Sequence, residues 1–250
     1  MHRFMQATME ILDRQEYVSW KLPKNWHVIL TTNPDNGDYN VTSLDVAQKT
    51  RFVSVELKYD VNVWAKWAET ANIDGRCINF MLMHPELVTQ RVNPRAITTF
   101  FNAISSVPKF EDSLPLIQMI GEGSVGVDFS SMFTMFINNK LDKIISPEDT
   151  LTKDEAYVMG ALLNAVGRDD DFRADISSVI ATRLINYSLV FADTKPVPAA
   201  MNQRLIKLTT DCDAFTDDLR YYIIKEIVNG NKVKFASLMM NKDVVKMAVK

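Results

Sequence analysis

Three polar residues stand at positions suited to chemistry on a phosphate. Asn33 follows the apolar run WHVILTT (26–32), Arg51 sits near the end of DVAQKTRF (45–52), and Arg95 follows Pro94 in VNPRAITTFF (92–101). A carboxamide both donates and accepts without adding charge, so Asn33 could orient a water or touch a terminal phosphate. A guanidinium stays charged and forks onto phosphate oxygens, which suits Arg51 and Arg95 to a phosphoryl group whose charge spreads over its oxygens. Each residue also has a plainer reading. Asn33 before Pro34 starts a turn, and Arg51 is a cation favoured at a helix C-terminus. Arg95 is harder to explain away, because a cation in the first turn of a helix opposes its dipole unless an anion lies there.

Other chemistry is poorly represented. The sequence has no HExxH, no GxSxG, no GxxxxGK[ST] and no apolar strand ending in Asp-Glu. GEGSVG (121–126) matches GxGxxG, but it follows no clear strand and lacks a lysine, so it reads as a hinge between helices. Asp169-Asp170-Asp171 reads as a solvated acidic turn, and His27 has no second ligand beside it. The lysines between 225 and 250 alternate with Val, Phe and Met, as on the wet face of amphipathic helices or on a partner-docking surface.

The elements that must carry these residues change character along the chain. Residues 4–13 have helical spacing, with Met5, Met9 and Leu12 on one side. Tyr17–Trp20 and 26–32 read as two strands separated by the turn Leu22-Pro23-Lys24-Asn25, the second apolar enough to be buried on both faces. A polar loop (34–42) leads to a short helix over 43–50, capped by Thr42 or Ser43, then to an alternating strand over 52–57. Helix 60–72 follows, with Val61, Trp64, Ala65 and Ala68 as its buried stripe. Beyond residue 76 the pattern is helical throughout, over about 76–83, 94–106, 113–121, 129–143, 153–166, 171–191, 199–209, 213–229 and 232–248. In the fourth of these, Phe129, Met132, Phe133, Phe136 and Leu141 share a face. The shift near 75, and a weaker one at Ser146-Pro147, divide the chain into 1–75, 76–146 and 147–250.

The order of the three motifs resembles the second half of an AAA+ module of the MoxR type, over roughly residues 3–106. In that family a strand ending in T-x-N-P carries the sensor-1 Asn, a helix ending in x-R-F carries the arginine finger, and an S/N-P-R segment opens a lid helix with the sensor-2 Arg. By position these are Asn33, Arg51 and Arg95. The resemblance implies an α/β remnant of an AAA+ core (a short partial sheet with flanking helices), followed by a mainly α-helical lid and a C-terminal helical region. It implies ATP and Mg²⁺ as cofactors, their cradle and ligands lying in a part that would precede the helix near Phe4. It also implies partner subunits in a ring, hexameric in the family, and chaperone-like remodelling of a protein, with proteins of the von Willebrand A type as frequent associates. The alternative is a non-catalytic interaction or adaptor module, or a degenerate AAA+ remnant.

Composition sets the outer limits. The chain has 250 residues, 47% hydrophobic and 24% charged, with a net charge of −3. Those values fit a globular protein with no global positive field for nucleic acid or lipid. Its two cysteines, Cys77 and Cys212, suggest neither a disulfide framework nor a zinc site, in keeping with the cytoplasm. The apolar runs are shorter than a membrane span, and MHRFMQATMEIL lacks the continuous apolar core of a signal peptide.

Overall fold

A computed structural model of the chain describes residues 2–33, 46–89 and 91–249. It divides into two compact units, Met1–Lys58 and Tyr59–Lys250. Among the described residues no helix is long and apolar enough to cross a membrane.

The first unit begins with helix α1 (His2–Arg14). Gln15 takes a left-handed backbone (φ 56°) that ends the helix, and a small antiparallel hairpin follows, β1 (Glu16–Tyr17) and β2 (Trp20–Lys21). Its register pairs Glu16 with Lys21 and Tyr17 with Trp20, and the Lys21 ammonium meets the Glu16 carboxylate at 3.3 Å. The predicted strand Tyr17–Trp20 is therefore a two-residue turn, Val18-Ser19, with one strand residue on either side.

Neither the buried strand expected over 26–32 nor the alternating strand expected over 52–57 is formed. Trp26 is 64% exposed, Ile29 83% and Val53 94%, and the hairpin is the only sheet among the described residues. A β-branched apolar run has the side chains for a strand, but it becomes one only where neighbouring strands accept its backbone groups. Of the short helix expected over 43–50, the described residues form one turn, α2 (Val46–Lys49). The polar loop 34–42 and the Thr42 and Ser43 caps lie outside the described residues.

The second unit is entirely helical among its described residues, and its start signals are local. Asp60 caps α3 (Val61–Thr70) by accepting from the Asn62 and Val63 amides at 2.7 and 3.3 Å. Asp74 caps α4 (Gly75–Met83), and Asn93 caps α5 (Pro94–Ile104) through the Ala96 amide at 3.0 Å. Helices α6 (Leu114–Ser124) and α7 (Val127–Asn138) follow, with GEGSVG forming the end of α6 and the turn into α7. Gly126 supplies the positive φ (90°) of that turn, a conformation an L side chain resists. The helix predicted over 129–143 stops at Asn138, because Lys140 turns left-handed (φ 59°) and a 3₁₀ turn covers Leu141–Lys143.

The remaining helices are α8 (Pro147–Thr152), α9 (Glu155–Val166), α10 (Ala174–Thr194), α11 (Ala199–Asp211), α12 (Asp217–Gly230), α13 (Ala236–Met240) and α14 (Lys242–Val249). The single helix predicted over 232–248 is thus two, broken at Asn241, whose carboxamide accepts from the Asp243 and Val244 amides. Two hydrophobic cores result. One, in α3–α7, is rich in phenylalanine; the other, in α8–α14, is built from Leu, Ile and Val.

Candidate functional site

Of the predicted site residues, Asn33 and Arg51 belong to the first unit and Arg95 to the second. Arg95 occupies the second position of α5, after the Asn93 cap and Pro94. Proline is suited there, since its fixed φ fits the first turn and its missing N–H is not needed. The helix buries Ile97, Phe100, Phe101 and Ile104, which turns Arg95 outward. Thr99 donates its hydroxyl to the Arg95 carbonyl at 3.0 Å. No carboxylate pairs with the Arg95 guanidinium among the described residues. An exposed cation thus stands at the positive end of a helix dipole, a placement that a bound anion would make favourable.

Arg51 is held differently. Its Nε donates to both carboxylate oxygens of Asp13, at 2.8 and 2.9 Å. This hydrogen bond, reinforced by the guanidinium charge, keeps the Asp13 carboxyl below the usual carboxylate range. Asp13 lies near the end of α1, so the pair fastens α1 to the segment after α2. Asn33 is exposed, and Thr32 donates its hydroxyl to the Asn33 carbonyl at 3.1 Å. It does not close a buried strand as expected, because 26–32 forms none among the described residues.

Two polar clusters in the second unit went unread in the sequence. In the first, Asp74 accepts from the Arg76 amide at 2.9 Å and from its Nη2 at 2.6 Å. Burial by itself would raise the Asp74 carboxyl, but the Arg76 hydrogen bonds outweigh it and the carboxyl sits below its ordinary value. The Arg76 guanidinium lies 3.4 Å from the centre of the Phe110 ring, a cation–π contact, and donates to the Val107 and Pro108 carbonyls. Burial, and then the Asp74 charge, push the adjacent Cys77 thiol well above its usual value, which makes it a poor nucleophile.

In the second cluster, Arg183 of α10 donates from Nε to Glu69 Oε1 at 2.8 Å and from Nη1 to Asn79 Oδ1 at 3.1 Å and the Gly75 carbonyl at 3.3 Å. Its one sequence signal is an arginine inside the apolar stretch SVIATRLINYSLV, which requires a buried partner. Nothing local could have named that partner, because Glu69 lies 114 residues away.

A cleft of about 280 Å³ opens between the first turns of α10 and α12, lined by Phe172, Ser177, Ser178, Thr216, Leu219 and neighbours. None of the three predicted residues lines it, and its buried Ser177 hydroxyl already donates to the Ala214 carbonyl at 2.6 Å. Among the described residues no group of three or more His, Cys, Asp or Glu side chains is placed to hold a metal ion. The triplet Asp169–Asp171 forms a 3₁₀ turn. No family model, no curated protein and no solved structure matches this chain.

Proposed function

We propose that this chain is the sensor and arginine-finger portion of a MoxR-like AAA+ ATPase, acting in the cytoplasm. In this reading ATP and Mg²⁺ are cradled by residues the chain does not contain, at boundaries between AAA+ subunits of a ring, hexameric by resemblance. Asn33 orients the attacking water, Arg51 reaches the γ-phosphate of a neighbouring subunit, and Arg95 couples phosphate state to the lid helix α5. Hydrolysis then drives chaperone-like remodelling of a protein partner, with a von Willebrand A-type protein as the candidate that the resemblance offers.

The observation that carries this reading is the exposed Arg95 guanidinium in the first turn of α5, where only an anion makes a cation favourable. Arg51 lends support to a second reading. Its commitment to Asp13 is equally suited to a brace within a non-catalytic interaction or adaptor module.

One reconstitution separates the two. The purified chain alone is expected to hydrolyse no ATP above background. Combined with a MoxR-type module supplying GxxxxGK[ST] and the Asp-Glu strand, it is expected to restore turnover. Arg51→Ala should then lower the rate on the order of 10³-fold while nucleotide still binds. Unchanged turnover removes the finger assignment and leaves the adaptor. Arg95→Ala should weaken nucleotide binding in calorimetry, and an unaltered isotherm removes the sensor assignment.

A further inference from the structure

The second unit carries two cores that share no buried residue among those described; among the described residues only Met83 and Leu141, both partly buried, touch both. The chain passes between the lobes once, through residues 139–146, where Lys140 is left-handed and the 3₁₀ turn interrupts the helices. Where the lobes meet, α10 packs on α3 and α4, and that contact includes an ionic cluster. Arg183 and Glu69 are only 8% and 10% exposed at their side chains. Asn79, 1% exposed, accepts from the same guanidinium. The approach is close, since a Cβ at Gly75 would lie 2.8 Å from two of the guanidinium nitrogens. One turn along the same face of α10, the buried Asn186 Nδ2 has no acceptor among the described residues. Beside the seam, a gap too narrow for water lies between Ile145, Pro147, Ile180 and Arg183.

We propose that Glu69, Arg183 and Asn79 form a docking latch between two separately cored lobes. A guanidinium fork meeting a carboxylate, a carboxamide and a carbonyl is satisfied in one register only, so the latch fixes how the lobes sit. The same chemistry makes the seam separable. Buried ions recover hydration when exposed, whereas an apolar interface loses its driving force. Asn186 also gains a water partner on opening. With one charge of the latch removed, the other is left buried without compensation, and the lobes part along the seam while each keeps its core. This device is independent of the nucleotide reading.

Spin labels placed on the full chain at Asn102→Cys in α5 and Lys225→Cys in α12, both exposed, measure the lobe separation directly; the native Cys77 and Cys212 are buried from the reagent. The wild-type latch should give one narrow distance. Glu69→Gln, which keeps shape and removes only charge, and Arg183→Met should each raise a longer-distance population by about tenfold or more, with helix content unchanged. Glu69→Met combined with Arg183→Met should restore the short distance, because apolar side chains of similar volume dock without the desolvation cost. An unchanged distance in both single variants overturns the latch. So does loss of helical circular dichroism in both, which would make the pair a brace within one cooperative unit.

Discussion

The two cores of the second unit bury comparable stripes of helix with different chemistry. In α3–α7, Phe133 sits among Phe80, Phe100, Phe101, Phe110 and Phe136, with ring centroids 5.0–6.2 Å away. Its contacts with Phe80 and Phe100 are edge-on, at 82° each, the arrangement favoured by the ring quadrupole. In α8–α14 the buried set is Leu162, Ile180, Leu184, Leu205, Ile223, Ile227 and their neighbours, with Phe215 and Phe235 as its only buried rings among the described residues. Aromatic packing is directional, while branched aliphatic packing depends mainly on filled volume. The comparison teaches that a small lobe can gain a fixed geometry from ring orientation, and that its neighbour reaches similar burial through a long central helix. The two chemistries need not share side chains, which is why an ionic contact can join them.

The largest test of that contrast is Phe133→Ala. It should cost about 3–5 kcal/mol, since one ring touching five others leaves a cavity the lattice cannot close. Denaturant unfolding followed by hydrogen exchange should show α3–α7 losing protection before α8–α14. Simultaneous loss would erase the distinction between the cores. Leu205→Ala should cost about 2–4 kcal/mol and reverse that order, the aliphatic surroundings relaxing further into the space.

A smaller effect probes the rim of the aromatic core through pH. The Asp74 carboxyl is depressed in the folded protein, so its contribution is complete above the ordinary carboxylate value of about 3.9 and fades as pH falls through the lower folded value. The stability difference between wild type and Asp74→Ala should therefore hold steady from pH 7 to about pH 5 and narrow below about pH 4. A gap that stayed constant into acid would mean that Arg76 does not depend on the Asp74 charge.

The smallest effect belongs to Arg95. Arg95→Ala should leave the thermal midpoint unchanged or raise it slightly, worth about 0.3–1 kcal/mol, because it removes a cation from a helix N-terminus. A clear destabilisation would show that the residue packs against the aromatic lobe.

Periodicity made much of the second unit legible. Trp64, Ala65 and Ala68 form the buried stripe expected of α3, and Phe129, Phe133 and Phe136 share the buried face that their spacing predicts. The place of Arg95 in the first turn of α5, after Pro94, was legible as well. These signals act over one or two turns, so the order of residues determines them by itself.

What the sequence could not decide was every outcome that depends on distant partners. WHVILTT has the composition of a core strand, yet its Trp26 and Ile29 are exposed, because a strand exists only where other segments accept its hydrogen bonds. Arg51 found Asp13 across 38 residues and Arg183 found Glu69 across 114, and only the folded chain brings such groups within reach. The split into an aromatic and an aliphatic core was likewise settled by packing, since each helix carries its own apolar stripe but not the identity of the helix that covers it.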